Sequence, residues 1–431
     1  MPYRIDLDRR TLLARGGTLA LALGAGLGPA ETALAASSRQ ARAVTADLPR
    51  PPAGRSATTG VLVRTQAELA AALAATTASE IVLADGIYAS DAAIAPAAPH
   101  RLRARSAPRG GSPSVTLRYG LMWGNHAGFA VSGIAFVIDD PAHAATDGAF
   151  AAAILNWFGG VSRDASISDC TIDGGFAVTQ GINLGSPDGA RIERCRITRC
   201  TDQGIRASDN QERSTAVIDR IADIDVSAVY RAPRGSADGT AEAGVWIGHR
   251  VRNGVERLRI RDTGWMGLWT GNRVVATRFR HLTIDGCFGT IPAGSHAGRT
   301  ESVGIYVERF TGLAGDPKSG STFERFELGP DLLIGIDQEW DHDLPGNQAS
   351  SYNVFRDGII DCSSMRAVDA ANARSVGIVC DQGTLEAVVS NVRFRNQTFA
   401  AIFDPSGSVR TSGLSVAGIA SGAAVSTREH P

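Results

Sequence analysis

Lysine is almost missing from this chain. Lys318 is the only one among 431 residues, so nearly all of the 43 basic side chains are arginine. Chemistry that needs a lysine base has a single residue to draw on. A basic surplus is missing too: 43 basic residues face 44 acidic ones, for a formal charge of −1 and a pI near 6.7. A protein that coats a polyanion needs excess positive charge to displace counterions, so nucleic acid is excluded as a partner. Aromatic residues make up only 6%, whereas 49 glycines are spread along the whole length. That balance argues for many turns and against a large helical bundle. There is no Cys-x-x-Cys pair and no Cys/His set with zinc spacing. A nucleotide-binding glycine loop, a Ser-His-Asp order and a metal-binding His pair are likewise missing. The six cysteines (Cys170, Cys195, Cys200, Cys287, Cys362, Cys380) fall mostly on strand-like runs and read as buried, inert thiols.

What is present begins with an export signal. Asp8-Arg9-Arg10-Thr11-Leu12-Leu13 matches a twin-arginine pattern, and Gly16–Ala30 is rich in Gly, Ala and Leu. Small-x-small cleavage sites follow at Ala33-Leu34-Ala35 and Ala41-Arg42-Ala43. The apolar stretch is too short and glycine-rich for a bilayer span, and no other run is apolar enough. Residues 1–43 therefore read as a signal peptide recognised by the twin-arginine export machinery, and the mature protein as secreted, periplasmic or held at the cell surface. Residues 1–43 carry six arginines and three acids, so 37 basic and 41 acidic residues remain after cleavage, a net charge of −4. Residues 44–60, rich in Pro and Ala, read as a linker. Residues 61–425 form one domain, and 426–431 a tail.

One repeat organises that domain. A short strand of the form x-Gly-aliphatic-x recurs in Gln180–Leu184, Gln203–Ala207, Ala243–Ile247 and Met266–Thr270. It recurs again in Val303–Val307, Ile334–Gln338 and Val376–Cys380, with a weaker copy at Ala400–Asp404. The glycines are 23, 40, 23, 37, 31 and 42 residues apart, as if one unit of about 23 residues carried insertions. A second strand type lies between the copies, in Ile167–Asp173, Ile192–Thr198, Leu258–Asp262, Phe279–Asp285, Phe355–Asp361 and Val389–Phe394. Each alternates apolar and polar residues, the period of a strand with one buried face. Such units bury their apolar faces only by stacking, with Gly and Asn expected at the corners. The chain therefore reads as all-β, a right-handed parallel β-helix. A short helix over Thr65–Ala75, N-capped by Thr65, would close its first coil.

The run Leu69-Ala-Ala-Ala-Leu73, then Ile81-Val-Leu-Ala-Asp85-Gly-Ile-Tyr88, followed by such coils, resembles secreted proteins of the pectin-lyase-like superfamily. The resemblance covers roughly Thr65 to Val416 and is one of architecture. It implies a protein that acts on carbohydrate, since that superfamily holds polysaccharide lyases, glycoside hydrolases, uronan epimerases and non-catalytic adhesins. The chain has no Asn-Thr-Asp, Gly-His-Gly and Arg-Ile-Lys set like that of polygalacturonases, and no Asp-Pro-His motif like that of epimerases.

With the repeats in register, the residue after each glycine points inward and the next outward. The outward column reads Asn183, Arg206, Trp246, Trp269, Tyr306, Asp337, Val379, Phe403. Its aromatic run offers a platform for sugar rings; the alternative is a second small core beneath a covering loop. Two residues further on, the column reads Gly185, Ser208, Gly248, Gly271, Glu308, Glu339, Asp381. Glu308 and Glu339 on neighbouring coils, with Asp337 beside them, supply the two carboxyl groups that glycoside hydrolysis requires. The same acids, Glu308, Glu339 and Asp381, are the candidate ligands of a Ca²⁺ in a polysaccharide lyase. Its base would be one of Arg206, Arg250, Arg273 and Arg309. His249 and His342 sit at analogous rim positions as candidate acids or bases, and Trp340 belongs to the dense polar-aromatic run Glu339–Asp343. Three functions follow: a polysaccharide hydrolase without cofactor, a Ca²⁺-dependent lyase, and a non-catalytic carbohydrate-binding protein. All depend on the register, because a slip of one residue turns every outward side chain inward.

Overall fold

The computed structural model describes residues 60–106, 112–124, 126–148, 150–156, 162–208, 216–230, 243–274, 276–287, 302–307, 320–330, 332–338, 353–362, 375–380, 387–404, 407, 409–419 and 425–426. The chain winds as a parallel β-helix. One sheet of twelve strands is built from the glycine-containing repeats. In chain order its parallel strands run Leu121–Met122, Phe150–Leu155, Gln180–Leu184, Gln203–Ala207, Ala243–His249, Met266–Arg273, Val303–Val307, Ile334–Gln338, Val376–Cys380, Ala400–Phe403 and Val425–Ser426. Ala145–Asp147 joins it antiparallel to Phe150–Leu155. The intervening segments form a second, eighteen-stranded sheet. The right-handed sense follows from the rule for crossovers between parallel strands.

The register expected from the sequence is the one observed. Ile182, Ile205, Val245, Leu268, Ile305, Ile336, Ile378 and Ile402 pair coil to coil, and all are fully buried. They face Ile197, Val226, Ile260, Ile284 and Ile360 from the second sheet, which are equally buried. The third side of the core carries a stack of rings. Phe279 lies 4.5 Å from Phe323 at 6°, and Phe323 lies 5.2 Å from Phe355 at 23°. The recurrence of glycine before each inward residue has a steric cause. A Cβ on Gly267 would lie 2.3 Å from a methyl of Ile284 and 2.7 Å from the carbonyl of Gly304.

In the second sheet the long strands bend twice. The later bend, at Arg199, Ala228, Asp262, Gly286, Gly329 and Asn396, does hold glycine and asparagine in the left-handed region; the earlier one is built differently. Asp169, Arg194, Asp223, Arg257, His281, Arg325, Asp357 and Asn391 occupy one register position, each in the left-handed region with φ between 52° and 57°. Gly and Asn were expected at such corners, yet glycine appears only at the two ends of this column, at Gly133 and Gly413. The left-handed conformation costs a residue with a Cβ about 1–2 kcal/mol. Neighbouring coils offset that cost by pairing across the bend. Arg194 donates to both carboxylate oxygens of Asp169, at 2.7 and 2.9 Å. Arg257 grips Asp223 in the same bidentate way, and Asn391 donates to Asp357 at 3.2 Å. Fixed spacing between coils thus lets opposite charges do work that a lone glycine would do by flexibility.

A parallel column on the same sheet alternates in sign: Glu256, Arg280, Glu324, Arg356. Glu324, only 3% exposed, accepts hydrogen bonds from Arg278, Arg280 and Arg356 at 2.6–3.0 Å. Burial alone would raise its pKa, but the three guanidinium groups overcome that and hold the carboxyl down at about 2.

The first coil is capped as the sequence suggested. Gln66–Leu73 is an α-helix with Thr65 as N-cap and a reciprocal bond from Glu68, and Leu69 and Leu73 close over the core. Strands Glu80–Leu83 and Gly86–Tyr88 follow. All six cysteines are free and buried, and burial pushes the thiols of Cys287 and Cys362 up to about 12. Among the described residues no helix is long and apolar enough to cross a membrane.

Candidate functional site

The outward column of the twelve-stranded sheet is assembled as read. Asn183 pairs in register with Arg206, Arg206 with Trp246, Trp246 with Trp269, Trp269 with Tyr306, and Tyr306 with Asp337. Val379 and Phe403 continue it. Its character differs from the platform expected. The indoles of Trp246 and Trp269 lie face to face, 4.3 Å apart at 6°. The guanidinium carbon of Arg206 sits 4.2 Å from the Trp246 ring and 4.5 Å from that of Phe150. Tyr306 meets Trp269 edge-on, at 5.9 Å and 83°. In-register side chains on parallel coils are held about 4.8 Å apart, close to the stacking distance of flat groups, so they stack on one another first. The Phe column inside the solenoid obeys the same rule. A sugar approaching from outside therefore meets ring edges and polar tips along Arg206–Trp246–Trp269.

The second outward position divides the face in two. From Ala243 onward it is apolar: Ala243, Met266 and Val303 are buried together with Tyr306 of the first column, and Trp265, Trp269 and Ile334 pack against them. Trp246 is not part of that cluster. On the earlier coils the same position holds Gln180 and Gln203, both fully buried, with Gln180 donating to Gln203 at 2.9 Å and to Asp202 at 3.4 Å. Asn183 and Arg206, 0% and 3% exposed, lie on this polar half. Both amide atoms of Asn183 are buried without a hydrogen-bond partner, and so is the Nε1 of Trp246. Trp246, Trp269 and Asp337 are half-buried.

The carboxylate column two residues on does not keep a simple register. Ile247 pairs with Thr270, but His249 pairs with Arg273, so the strand Met266–Arg273 carries one extra residue there as a bulge. Bulges re-aim the side chains that follow. His249, expected at a rim, is buried instead, at 1% exposure, on the face of its strand that also buries Val245 and Ile247. Gly248 is obligatory for packing, since a Cβ there would lie 2.0 Å from the Oγ of Ser208. Arg250 is exposed. Glu308, Arg309, Glu339, Trp340, His342 and Asp381 lie outside the described residues, as do the signal sequence and nearly all of the linker. For Arg273 only its place in the strand is described. Those gaps include all three candidate Ca²⁺ ligands. Among the described residues no group of three or more His, Cys, Asp and Glu side chains could hold a metal ion.

Phe150, Trp265, Gln180 and Gln203 belong to this face and were not singled out from the sequence. Phe150 lies on an alanine-rich strand without the glycine motif, and only the pairing of Ala152 with Gln180 brings it into line. The two glutamines stand in the repeat itself, three residues before Asn183 and Arg206, an offset that simple alternation assigns to the opposite face.

No family model matches the chain, and no curated protein matches it in sequence. Solved structures do align with it. A surface adhesin of Streptococcus pneumoniae is 10% identical with a TM-score of 0.49, over 84% of this chain and 88% of that one. The catalytic domain of a GH87 α-1,3-glucanase, in complex with nigerose, is 12% identical with a TM-score of 0.48, over 89% and 70%. The A-module of a mannuronan C-5 epimerase from Azotobacter vinelandii is 10% identical with a TM-score of 0.43, over 82% and 91%.

Proposed function

We propose that this protein is an exported carbohydrate-active enzyme that cleaves a polysaccharide along the outer face of the twelve-stranded sheet, as a glycoside hydrolase. The observation that carries the reading is the state of Asn183. Its amide is buried with neither atom hydrogen-bonded, on a position that Val379 and Phe403 fill with apolar side chains further along. An unmet buried polar group costs about 1–3 kcal/mol. Such a group beside Arg206 and a half-buried Trp246 suits a ligand rich in hydroxyl groups, which supplies both a donor and an acceptor.

The chemistry asked of the face is double displacement or direct attack by water at an acetal carbon. One carboxylic acid protonates the leaving oxygen while a second carboxylate acts as nucleophile or as base towards water. Asp337 follows Tyr306 in the column and is assigned one of these roles, with Glu308 and Glu339 as its partners. The stacked rings of Trp246 and Trp269 hold their wall rigid, so a bound sugar meets preformed edges rather than side chains that must be ordered.

The test is a glycan panel assayed for new reducing ends, with and without a chelator, on the wild type and on Asp337→Asn and Glu339→Gln. Reducing ends that survive chelation and fall by roughly 10²–10⁴ in the variants are expected. Ultraviolet absorbance from a new C=C bond, abolished by chelator, would replace the hydrolase with the Ca²⁺-dependent lyase. Binding without cleavage in both variants and wild type would leave a non-catalytic carbohydrate-binding protein.

A further inference from the structure

From the last coil of the solenoid we infer that two copies of this chain join through the C-terminal ends of their solenoids, each continuing the other's sheets across a two-fold axis. The inference needs only the fold and goes beyond the reading of the outer face.

The two ends of the core are finished differently. At the first coil the helix Gln66–Leu73 lies over the stack, and Leu69 and Leu73 are fully buried. At the last coil the inward positions are open among the described residues. Val416 stands in register with Phe394, and Val425 with Ile402. Phe394 and Ile402 are fully buried, whereas Val416 is 38% and Val425 41% exposed. Thr411, in register with the buried Val389, is exposed as well. Leu414 and Ile419 are only partly buried against the same core. The core therefore ends on a rim of half-covered aliphatic side chains. Residues 420–424 and 427–431, which flank Val425–Ser426, hold no large aliphatic or aromatic side chain that could close it.

The backbone is unfinished at the same place. Among the described residues, Val409–Ser412 and Ser415–Ala417 pair only with Ala387–Arg395, and Val425–Ser426 only with Ala400–Phe403. Each sheet thus ends in strands with one unpaired edge. Such edges are ordinarily blunted by proline, by charge or by a covering element. The described residues of this coil include no proline, and Arg410 is their single charged side chain.

These features select a second copy as the partner. An occupant must offer two sheet edges, as far apart as the two sheets, with apolar residues between them. The same end of another copy presents that arrangement. A two-fold axis normal to the sheets sets each edge antiparallel against itself and closes the two cores into one. Contact with itself also brings every charge near its own duplicate, so a nearly uncharged end is the kind that can pair in this way. The N-terminal end differs: its helix covers the core, and Arg64 and Glu68 are exposed there. Assembly therefore stops at two. In the dimer the twelve-stranded sheets run on into one another, and their outward columns lie on one side, in opposite directions.

The experiment is sedimentation velocity with light scattering on the full chain, over concentrations of about 1–100 µM. A particle of twice the 45.0 kDa chain mass is expected, with a dissociation constant on the order of 10 µM or lower. Amide exchange in Val409–Ser412 and Ser415–Ala417 should slow as concentration rises. Val416→Arg and Val425→Lys change side chains already exposed in the single chain. Each should keep the wild-type circular dichroism and weaken the dimer tenfold or more. Val61→Lys, at the other end, and Ile87→Lys, exposed on the flank, should leave the dimer as it was. Should a variant lose its fold, the wild-type mass and exchange series decide the matter. Wild-type monomer throughout the range overturns the inference, and edge strands protected from exchange in that monomer would assign the cover to the chain's own residues. A dimer that survives both end variants, or that either control disrupts, overturns it too, as does growth beyond two copies.

Discussion

Glu324→Gln should uncouple the charge column of the second sheet without changing its shape. In the native protein the Glu324 carboxylate is buried and held by Arg278, Arg280 and Arg356. Glutamine keeps the volume and one acceptor oxygen, but leaves three guanidinium groups crowded around a neutral amide. A carboxyl held at about 2, against 4.5 in the unfolded chain, contributes roughly 3 kcal/mol at neutral pH. Because the folded pKa is the lower one, that contribution is complete above about pH 4.5 and is lost as pH falls towards 2. At pH 7 the variant should therefore be destabilised by roughly 3 kcal/mol, about 4 °C in Tm for a chain of this size. Near pH 2 almost all of the gap should be gone, since Glu324 is then about half protonated in the folded native protein and nearly fully protonated when unfolded. Each coil contacts only its neighbours, so the loss should also be local. Amide exchange should accelerate in Arg278–Cys287, Thr322–Leu328 and Asn353–Asp361 and stay unchanged in the first coils. Thermal melts at pH 7, 4 and 2, together with exchange measured by mass spectrometry, make the test. A variant within 0.5 kcal/mol of wild type at pH 7 would refute the reasoning, and so would a gap that persists undiminished at pH 2.

The packing makes further predictions. Gly267→Ala forces a methyl into Ile284 and should cost about 1–3 kcal/mol in urea unfolding, whereas the same change at Gly407, whose Cβ would meet nothing within 4 Å, should cost only the strain of its positive φ. Phe323→Ala removes the middle ring of the internal stack and should cost about 3–5 kcal/mol by the same measurement. Thr65→Ala breaks the capping box of the first helix and should cost about 1 kcal/mol, read as faster exchange in Gln66–Leu73. Burial keeps the cysteines in the thiol form, so none of the six should react with a thiol reagent at pH 8 until denaturant is added.

The solenoid and its register were legible in the sequence because the signal is translational. A glycine followed by an aliphatic residue recurs with the coil, and parallel stacking without slip is the arrangement that buries every such residue at once. The same periodicity places Asn183, Arg206, Trp246, Trp269, Tyr306 and Asp337 in one line. The capping helix was legible for a local reason, the Thr65 and Glu68 pair at its start. Two features were not. The identity of the corner residues depends on which charge the next coil brings, so Arg194 tolerates a left-handed bend only because Asp169 lies beside it. The use of the aromatic rings was also hidden. Sequence places Trp246 and Trp269 on the outside, but the fixed separation of coils decides that flat side chains spend their faces on one another. His249, expected at the rim, is buried like Val245 and Ile247, four and two residues before it, the face that alternation along its own strand assigns it. The sequence by itself set the period, the core and the outward line of side chains, since these repeat along one dimension. Which atoms of that line remain unmet and open to a ligand was decided in three dimensions, by contacts between residues 20 to 60 positions apart.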